Sequence, residues 1–133
     1  PLGATIIDDT YNANPDSVRE GIDVLARASG TRWLVLGDMG EVGAQGPEFH
    51  REIGEHARAA GIDRLLAIGE LAPHAVLAFG AHGAHFGDVD ALIDALSPPP
   101  AAGTTVLVKG SRFMRMERVV DALCGSGDRT GGH

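Results

Sequence analysis

The chain is organised around the segment Ala4-Thr5-Ile6-Ile7-Asp8-Asp9-Thr10-Tyr11-Asn12-Ala13-Asn14-Pro15-Asp16-Ser17. Its short apolar, β-branched beginning predicts a buried strand. Asn14 suits the N-cap of a following helix, because its side-chain oxygen accepts an unpaired backbone N–H, and Pro15 suits the first helical position. The segment therefore places two acids and a polar turn between the carboxyl end of a strand and the positive end of a helix. Open α/β sheets bind ligands at such places.

Composition narrows the class of protein. The chain has 133 residues, which predicts one domain, and its net charge of −7 without a basic stripe argues against a nucleic-acid partner. The single cysteine, Cys124, excludes an intramolecular disulfide and fits a reducing compartment. No apolar run approaches the roughly 18 residues that a membrane span needs. We therefore expect a soluble, cytoplasmic protein that binds neither nucleic acid nor membrane.

Strand and helix patterns alternate along the chain. The strand patterns lie at about 4–8, 32–36, 64–68, 84–86 and 104–108, and the helix patterns at about 15–28, 47–60, 71–79, 89–96 and from 113 onward. This alternation predicts an α/β fold, a Rossmann-like three-layer α/β/α domain with a mainly parallel sheet of about five strands. We assign residues 1–124 to this domain and predict a disordered Gly-rich tail over 125–133.

The start of the chain suggests a piece of something longer. It lacks an initiator Met, and Pro1-Leu2-Gly3 stands almost directly before the first predicted strand. We therefore expect a fragment of a larger protein.

Three predicted strand-to-helix turns carry the candidate chemistry: Asp8–Asn14, Gly37–Gly43 and Lys109–Arg112. Because the carboxyl ends of parallel strands meet at one edge of a sheet, these turns should converge in space. Lys109 and Arg112 are two cations at a predicted helix N-terminus, where the helix dipole disfavours positive charge. That placement indicates an anionic partner.

Each turn also has a purely structural interpretation. Asp8 and Asp9 are common turn and capping residues, because their side chains hydrogen-bond locally. The glycines at 37, 40 and 43 do not have the spacing of a dinucleotide site and more simply permit a tight turn. Lys109-Gly110-Ser111 resembles the end of a phosphate loop, but the spacing of that motif is absent.

No metal site is predicted. The histidines show no spacing typical of metal ligands: His50, His56, His74, His82, His85 and His133. Cys124 sits late in an amphipathic pattern without an identifiable partner, which is typical of a packed residue rather than a nucleophile.

Taken together, three motifs resemble the C-terminal domain of Mur ligases. They are the first motif, residues 8–17 (DDTYNANPDS), the second motif, residues 35–43 (VLGDMGEVG), and the third motif, residues 106–114 (VLVKGSRFM). The resemblance covers about residues 4–123. Within this family, the three motifs are most similar to those of the group that adds D-Ala-D-Ala to a nucleotide-linked tripeptide.

The resemblance implies a three-domain enzyme of which this chain is the last domain. The partners of this domain would be the N-terminal and central domains of the same protein. The central domain, which this sequence does not include, would make most of the contacts to ATP and Mg²⁺. The family usually places an antiparallel strand before this region, and this sequence lacks it. The fragment alone should be inactive.

The implied reaction is amide formation through an acyl phosphate. ATP phosphorylates the terminal carboxylate of UDP-MurNAc-tripeptide, the amine of D-Ala-D-Ala attacks, and phosphate leaves. By matched motif, the nucleoside would face Asp9, Tyr11, Asn12 and Asn14. The dipeptide or the reacting phosphate would face Asp38, Glu41, Lys109, Ser111 and Arg112. None of these is assigned a catalytic role beyond assistance by Lys109, and His50 receives no role.

Two other interpretations remain open at this point. A stand-alone flavodoxin- or receiver-like binding module would use acids after the first two strands, with Lys109 after a late strand, as a magnesium or phosphoacceptor site. It does not explain the segment from Tyr11 to Pro15. A folylpolyglutamate-type ligase domain would have a shorter, His-containing first motif.

Overall fold

The structure is a computed structural model, and it describes residues 5–9, 15–37, 43–96, 103–110 and 118–120. Five strands and four helices alternate along these ranges. The strands are β1 (Thr5–Asp9), β2 (Thr31–Gly37), β3 (Arg64–Ile68), β4 (Gly83–Phe86) and β5 (Thr104–Lys109). The helices are α1 (Pro15–Ala26), α2 (Gly46–Ala59), α3 (Ala72–Phe79) and α4 (Val89–Ala95), and residues 118–120 are also helical.

The five strands form one sheet in the order β1-β5-β2-β3-β4. Every pair of neighbours among them is parallel. The predicted α/β class and the parallel sheet of about five strands are therefore confirmed. The antiparallel strand that the family resemblance adds is not among the described strands.

Helices cover both faces of this sheet, and the direction of each crossover explains which face. From β1 through β2 and β3 to β4 the chain always moves the same way across the sheet, whereas the step from β4 to β5 reverses. Right-handed crossovers then place α1, α2 and α3 on one face and α4 on the other. Two apolar clusters match this arrangement, since residues of α1–α3 pack in one and residues of α4 and 119–120 in the other.

The inner strands are apolar because they are buried on both faces of the sheet. β2, β3 and β5 are the inner three strands, and their cores are almost continuous apolar runs because both faces are covered. Leu34, Leu36 and Leu107 face the α1–α3 cluster, while Val35 and Val106 face the α4 cluster. Alternation along one strand thus supplies two cores.

Element boundaries differ from the prediction in a few places. α1 ends at Ala26 rather than near 28, because Arg27 and Ala28 donate to carbonyls only three residues back and Gly30 then adopts φ +81°. α2 begins at Gly46 after a short 3-10 turn, Gly43–Gln45, that the pattern did not indicate. The residues proposed for the last helix before 118, Cys124 and the predicted tail over 125–133 lie outside the described residues.

Helices α2 and α3 touch through their backbones. A Cβ placed on Gly54 would lie 2.2 Å from the carbonyl oxygen of Ala75, far inside van der Waals contact. Ala75 itself is fully buried. The separation of these two helices is therefore set by the missing side chain at Gly54.

Gly54→Ala should destabilise the chain although alanine favours a helix. The methyl group would force α2 and α3 apart, at a cost of about 1–3 kcal/mol in the free energy of unfolding. Urea unfolding followed by circular dichroism measures this. Gly87→Ala is the matched control, because a methyl group at Gly87 would meet no atom within 4 Å; equal midpoints for the two variants would contradict the packing argument.

Asp88 is the N-cap of α4. Its Oδ1 accepts a hydrogen bond of 2.8 Å from the backbone N–H of Ala91. This contact satisfies one of the donors that the first turn leaves unpaired.

Replacing Asp88 with alanine should lower the free energy of unfolding by about 1 kcal/mol, because that N–H loses its side-chain acceptor. Asp88→Ser retains an oxygen and should recover most of the loss. The urea midpoints of the three proteins test this, and an alanine variant as stable as the parent would show that the cap contributes nothing.

Candidate functional site

The strands that lead into the three motifs end side by side. β5 lies between β1 and β2, and Lys109 at its end is in register with Asp9 of β1 and with Leu36 of β2. All three strands are parallel, so their carboxyl ends form one continuous edge of the sheet. The convergence predicted from the sequence holds for these strand ends.

This edge is also a topological switch point. β1 and β2 are each followed by a helix on the α1–α3 face, whereas the helical residues after β5 pack into the opposite cluster. Connections that leave adjacent strands towards opposite faces open a crevice at the strand ends. The candidate site therefore stands where this architecture provides room for a ligand.

Most of the predicted contact residues belong to segments that follow these strand ends. Seven of them lie outside the described residues: Tyr11, Asn12, Asn14, Asp38, Glu41, Ser111 and Arg112. Asp9 is the last residue of β1. The ligand roles of all these residues stay predictions.

Lys109 is the predicted site residue whose side chain the structure describes, and it is buried. Only 1% of Lys109 is exposed, and its Nζ donates a hydrogen bond to Oγ of Ser17 at 3.4 Å. Its side chain passes Gly21 of α1, where a Cβ would lie 3.5 Å from Cδ and 3.9 Å from Cε. The ammonium thus reaches the first turn of α1 by crossing beneath that helix.

Sequence reasoning did not identify Ser17 as a partner of Lys109. Ser17 closes the first motif and Lys109 belongs to the third, 92 positions further along the chain. A serine in the first turn of a helix is ordinarily a local capping residue. A signal was nevertheless present, because Ser17 and Gly21 are four residues apart and so share one face of α1.

His50 is a second residue that sequence reasoning left without a role. It is fully buried in α2, and its Nδ1 lies 2.8 Å from the carbonyl oxygen of Gly46, so Nδ1–H is the donor. This bond ties the first turn of α2, shortly after the second motif, to the body of the helix. Its position in the buried series with Ile53, Gly54 and Ala57 was a signal for burial.

Two shifted pKa values belong to Glu48 and Arg51 of α2. Arg51 on α2 donates hydrogen bonds to Glu48 and Glu55 on the same helix. The hydrogen bond from Arg51, assisted by its charge and opposed by desolvation, holds the pKa of Glu48 below its usual range, and the pKa of Arg51 is raised in turn. These shifts belong to an exposed helical ion-pair group and do not mark a site.

Neither a metal-binding cluster nor a membrane-spanning helix lies among the described residues. They contain no group of three or more His, Cys, Asp or Glu side chains placed to hold a metal ion. In the same ranges, no helix combines the length and the apolar character needed to cross a membrane. His56 of α2 contacts α1, because its Nε2 lies 2.8 Å from Oδ1 of Asp23.

Comparison with known proteins identifies relatives of the chain. The chain is 47% identical over 120 residues to the UDP-N-acetylmuramoyl-tripeptide–D-alanyl-D-alanine ligase of Escherichia coli, a match that covers 89% of this chain and 26% of the relative. The ligase of the same name from Haemophilus influenzae is 37% identical and is covered to 27%. The chain therefore spans about a quarter of the length of the curated relatives it matches.

Solved structures with a similar fold carry related names. The structure superposes on the MurF ligase of Thermotoga maritima, solved in complex with ADP, with a TM-score of 0.80 and 30% identity, covering 92% of this chain and 28% of that one. A MurF structure from Acinetobacter baumannii gives a TM-score of 0.79 at 32% identity, with 92% and 28% coverage. Neither similarity favours a stand-alone receiver-like module or a folylpolyglutamate-type domain.

A family model described as "Mur ligase, glutamate ligase domain" matches residues 2–112, most of the chain and all of the sheet. The chain therefore belongs to the family of Mur ligase C-terminal domains.

Proposed function

We propose that this chain is the C-terminal domain of an ATP-dependent ligase that joins D-Ala-D-Ala to UDP-MurNAc-tripeptide. The observation that carries the proposal is the shared edge of β1, β5 and β2, from which the three motifs follow, in a chain 47% identical to a ligase of that name. Such an edge brings two small ligands together at one place. The product is a nucleotide-linked precursor of peptidoglycan, so we expect the reaction to take place in the cytoplasm.

The domain's task in this reaction is to position one reactant and to exclude water. The terminal carboxylate of the tripeptide is activated as an acyl phosphate, and the amine of D-Ala-D-Ala must attack before water does. Holding the amine within attack distance converts a bimolecular step into an effectively unimolecular one. Closing this edge of the sheet over the central domain would remove competing water from the intermediate.

The nucleoside contacts are assigned to the first motif. Asp9, as the last residue of β1, stands at the sheet edge and would accept hydrogen bonds from the ribose hydroxyls. The remaining contacts to the adenine edge or face would come from Tyr11, Asn12 and Asn14. Asp9 is in register with Lys109, so the nucleoside and the third motif would be neighbours.

The dipeptide and phosphate contacts are assigned to the second and third motifs. Asp38 and Glu41 would take the ammonium group of the zwitterion. Lys109, Ser111 and Arg112 would face its carboxylate or the reacting phosphate, which suits their donors and charge. Opposite charges on neighbouring strand ends thus suit the two ends of D-Ala-D-Ala.

The rest of the enzyme would supply what this domain lacks. The chain spans about a quarter of the curated relatives, so an N-terminal and a central domain would complete the protein. Mg²⁺ and most of the triphosphate would be held by the central domain. Residues 1–124 would form the present domain.

Ligase turnover by the complete protein tests the function directly. With ATP, UDP-MurNAc-tripeptide and D-Ala-D-Ala, we expect amide product and stoichiometric phosphate release. Lys109→Ala should lower kcat by about 100-fold, as when one preorganised donor is removed, and Asn12→Ala should raise the KM for ATP by roughly tenfold.

Glu20→Ala is the control for these two variants, because Glu20 is an exposed residue of α1 outside the three motifs. It should leave turnover unchanged. A complete protein that releases no phosphate with these three substrates, under conditions in which the E. coli relative does, would refute the proposed function.

The isolated 133-residue chain should neither turn over nor hold ATP tightly. Without a central domain, few groups contact the triphosphate. Calorimetry should therefore give a Kd for ATP above about 100 μM, which corresponds to a binding free energy smaller than roughly 5.5 kcal/mol. Submicromolar affinity for ATP in the isolated chain would contradict the assignment of the nucleotide mainly to another domain.

A further inference from the structure

We propose that Ser17 is a positioning residue that sets where the ammonium of Lys109 stands in the ligase reaction. This inference rests on the proposed function for the reaction itself, but the contact on which it stands belongs to this chain alone. Ser17 is not among the residues assigned to nucleoside, dipeptide or phosphate. Its role would be exerted through Lys109.

The first support is the route that the Lys109 side chain takes. Lys109 ends β5, between the ends of β1 and β2, at the edge where the three motifs begin. Its side chain is buried and turns under α1, and Nζ lies 3.4 Å from Oγ of Ser17. The hydroxyl oxygen accepts this bond, since an ammonium has only donors.

The second support is the space that α1 leaves for this route. Gly21 follows Ser17 by one helical turn and lies on the same face. A Cβ at Gly21 would lie 3.0 Å from Cδ2 of Leu107 and 3.5 Å from Cδ of Lys109. A side chain larger than a methyl group would therefore compete with the lysine stem for this channel.

The third support is electrostatic. The amino end of a helix carries partial positive charge, so a cation placed there is locally disfavoured. An oxygen that accepts from the ammonium offsets part of that cost and gives the flexible four-carbon stem a defined end point. Functional groups that must sit within about 0.5 Å of a productive position depend on such supporting contacts.

The contact also joins two motifs that are far apart in sequence. Ser17 closes the first motif, proposed to bind the nucleoside, and Lys109 opens the polar part of the third, proposed to bind dipeptide or phosphate. A change at Ser17 should therefore act on the chemistry that Lys109 assists. It should not act on the affinity for UDP-MurNAc-tripeptide.

Amine labelling measures the contact without reference to activity. Lys109 is the only lysine of this 133-residue chain. In the complete protein, its acetylation by an N-hydroxysuccinimide ester is read by mass spectrometry from the one peptide that contains it. We expect Ser17→Ala to label about fivefold faster than the parent, because one hydrogen bond of the amine is lost. Ser17→Thr keeps a hydroxyl and should label at the parent rate.

Steady-state kinetics of the same variants measure the consequence. Ser17→Ala should lower kcat about tenfold with the KM for UDP-MurNAc-tripeptide unchanged, and Ser17→Thr should restore kcat. In a Lys109→Ala background, Ser17→Ala should cause no further loss, because both act through one group.

The outcomes separate this inference from the proposed function. An inactive parent protein refutes the ligase assignment, whereas the labelling experiment still decides the contact. Equal labelling of Ser17→Ala and parent overturns the inference. So does an undiminished kcat in an active enzyme, or a full additional loss in the Lys109→Ala background.

Discussion

Parallel pairing of β5 between β1 and β2 is the constraint on which the rest of the structure depends. Of the described strands, β5 comes last in the chain but occupies an inner position, so these five strands form one sheet only when the chain has returned across it. That return places Lys109 next to the ends of two strands that lie far earlier in the chain. Without the insertion of β5, the three motifs would have no common edge.

The same insertion explains the distribution of the core. Crossovers in one direction bury α1, α2 and α3 on one face, and the single reversal puts α4 on the other. Chain direction thus divides the apolar residues into two layers and leaves the polar segments at the carboxyl edge. The site and the hydrophobic core are two results of one topology.

Much of this could be predicted from the sequence. Strand and helix patterns indicated the α/β class and the five strands, including the short β4, because period-two and period-3.6 patterns are local properties. The end of α1 and the 3-10 turn before α2 were missed, since they depend on hydrogen bonds within a single turn. Strand order was not predictable in this way, because pairing joins residues that are distant in the chain.

The candidate site was likewise predictable only in its local features. Motif residues could be named from their types and spacing. The burial of Lys109 and its contact with Ser17 arise only when β5 lies beside β1 and under α1. His50 shows the converse, a polar residue in a buried helical series whose signal was present and was not used.

The position of β1 has a practical meaning for handling this domain by itself. Among the described strands it is an outer one, paired through only one side to β5. The other side presents backbone donors and acceptors that a strand from another molecule can satisfy. Concentrated samples of the domain are consequently open to self-association along this border.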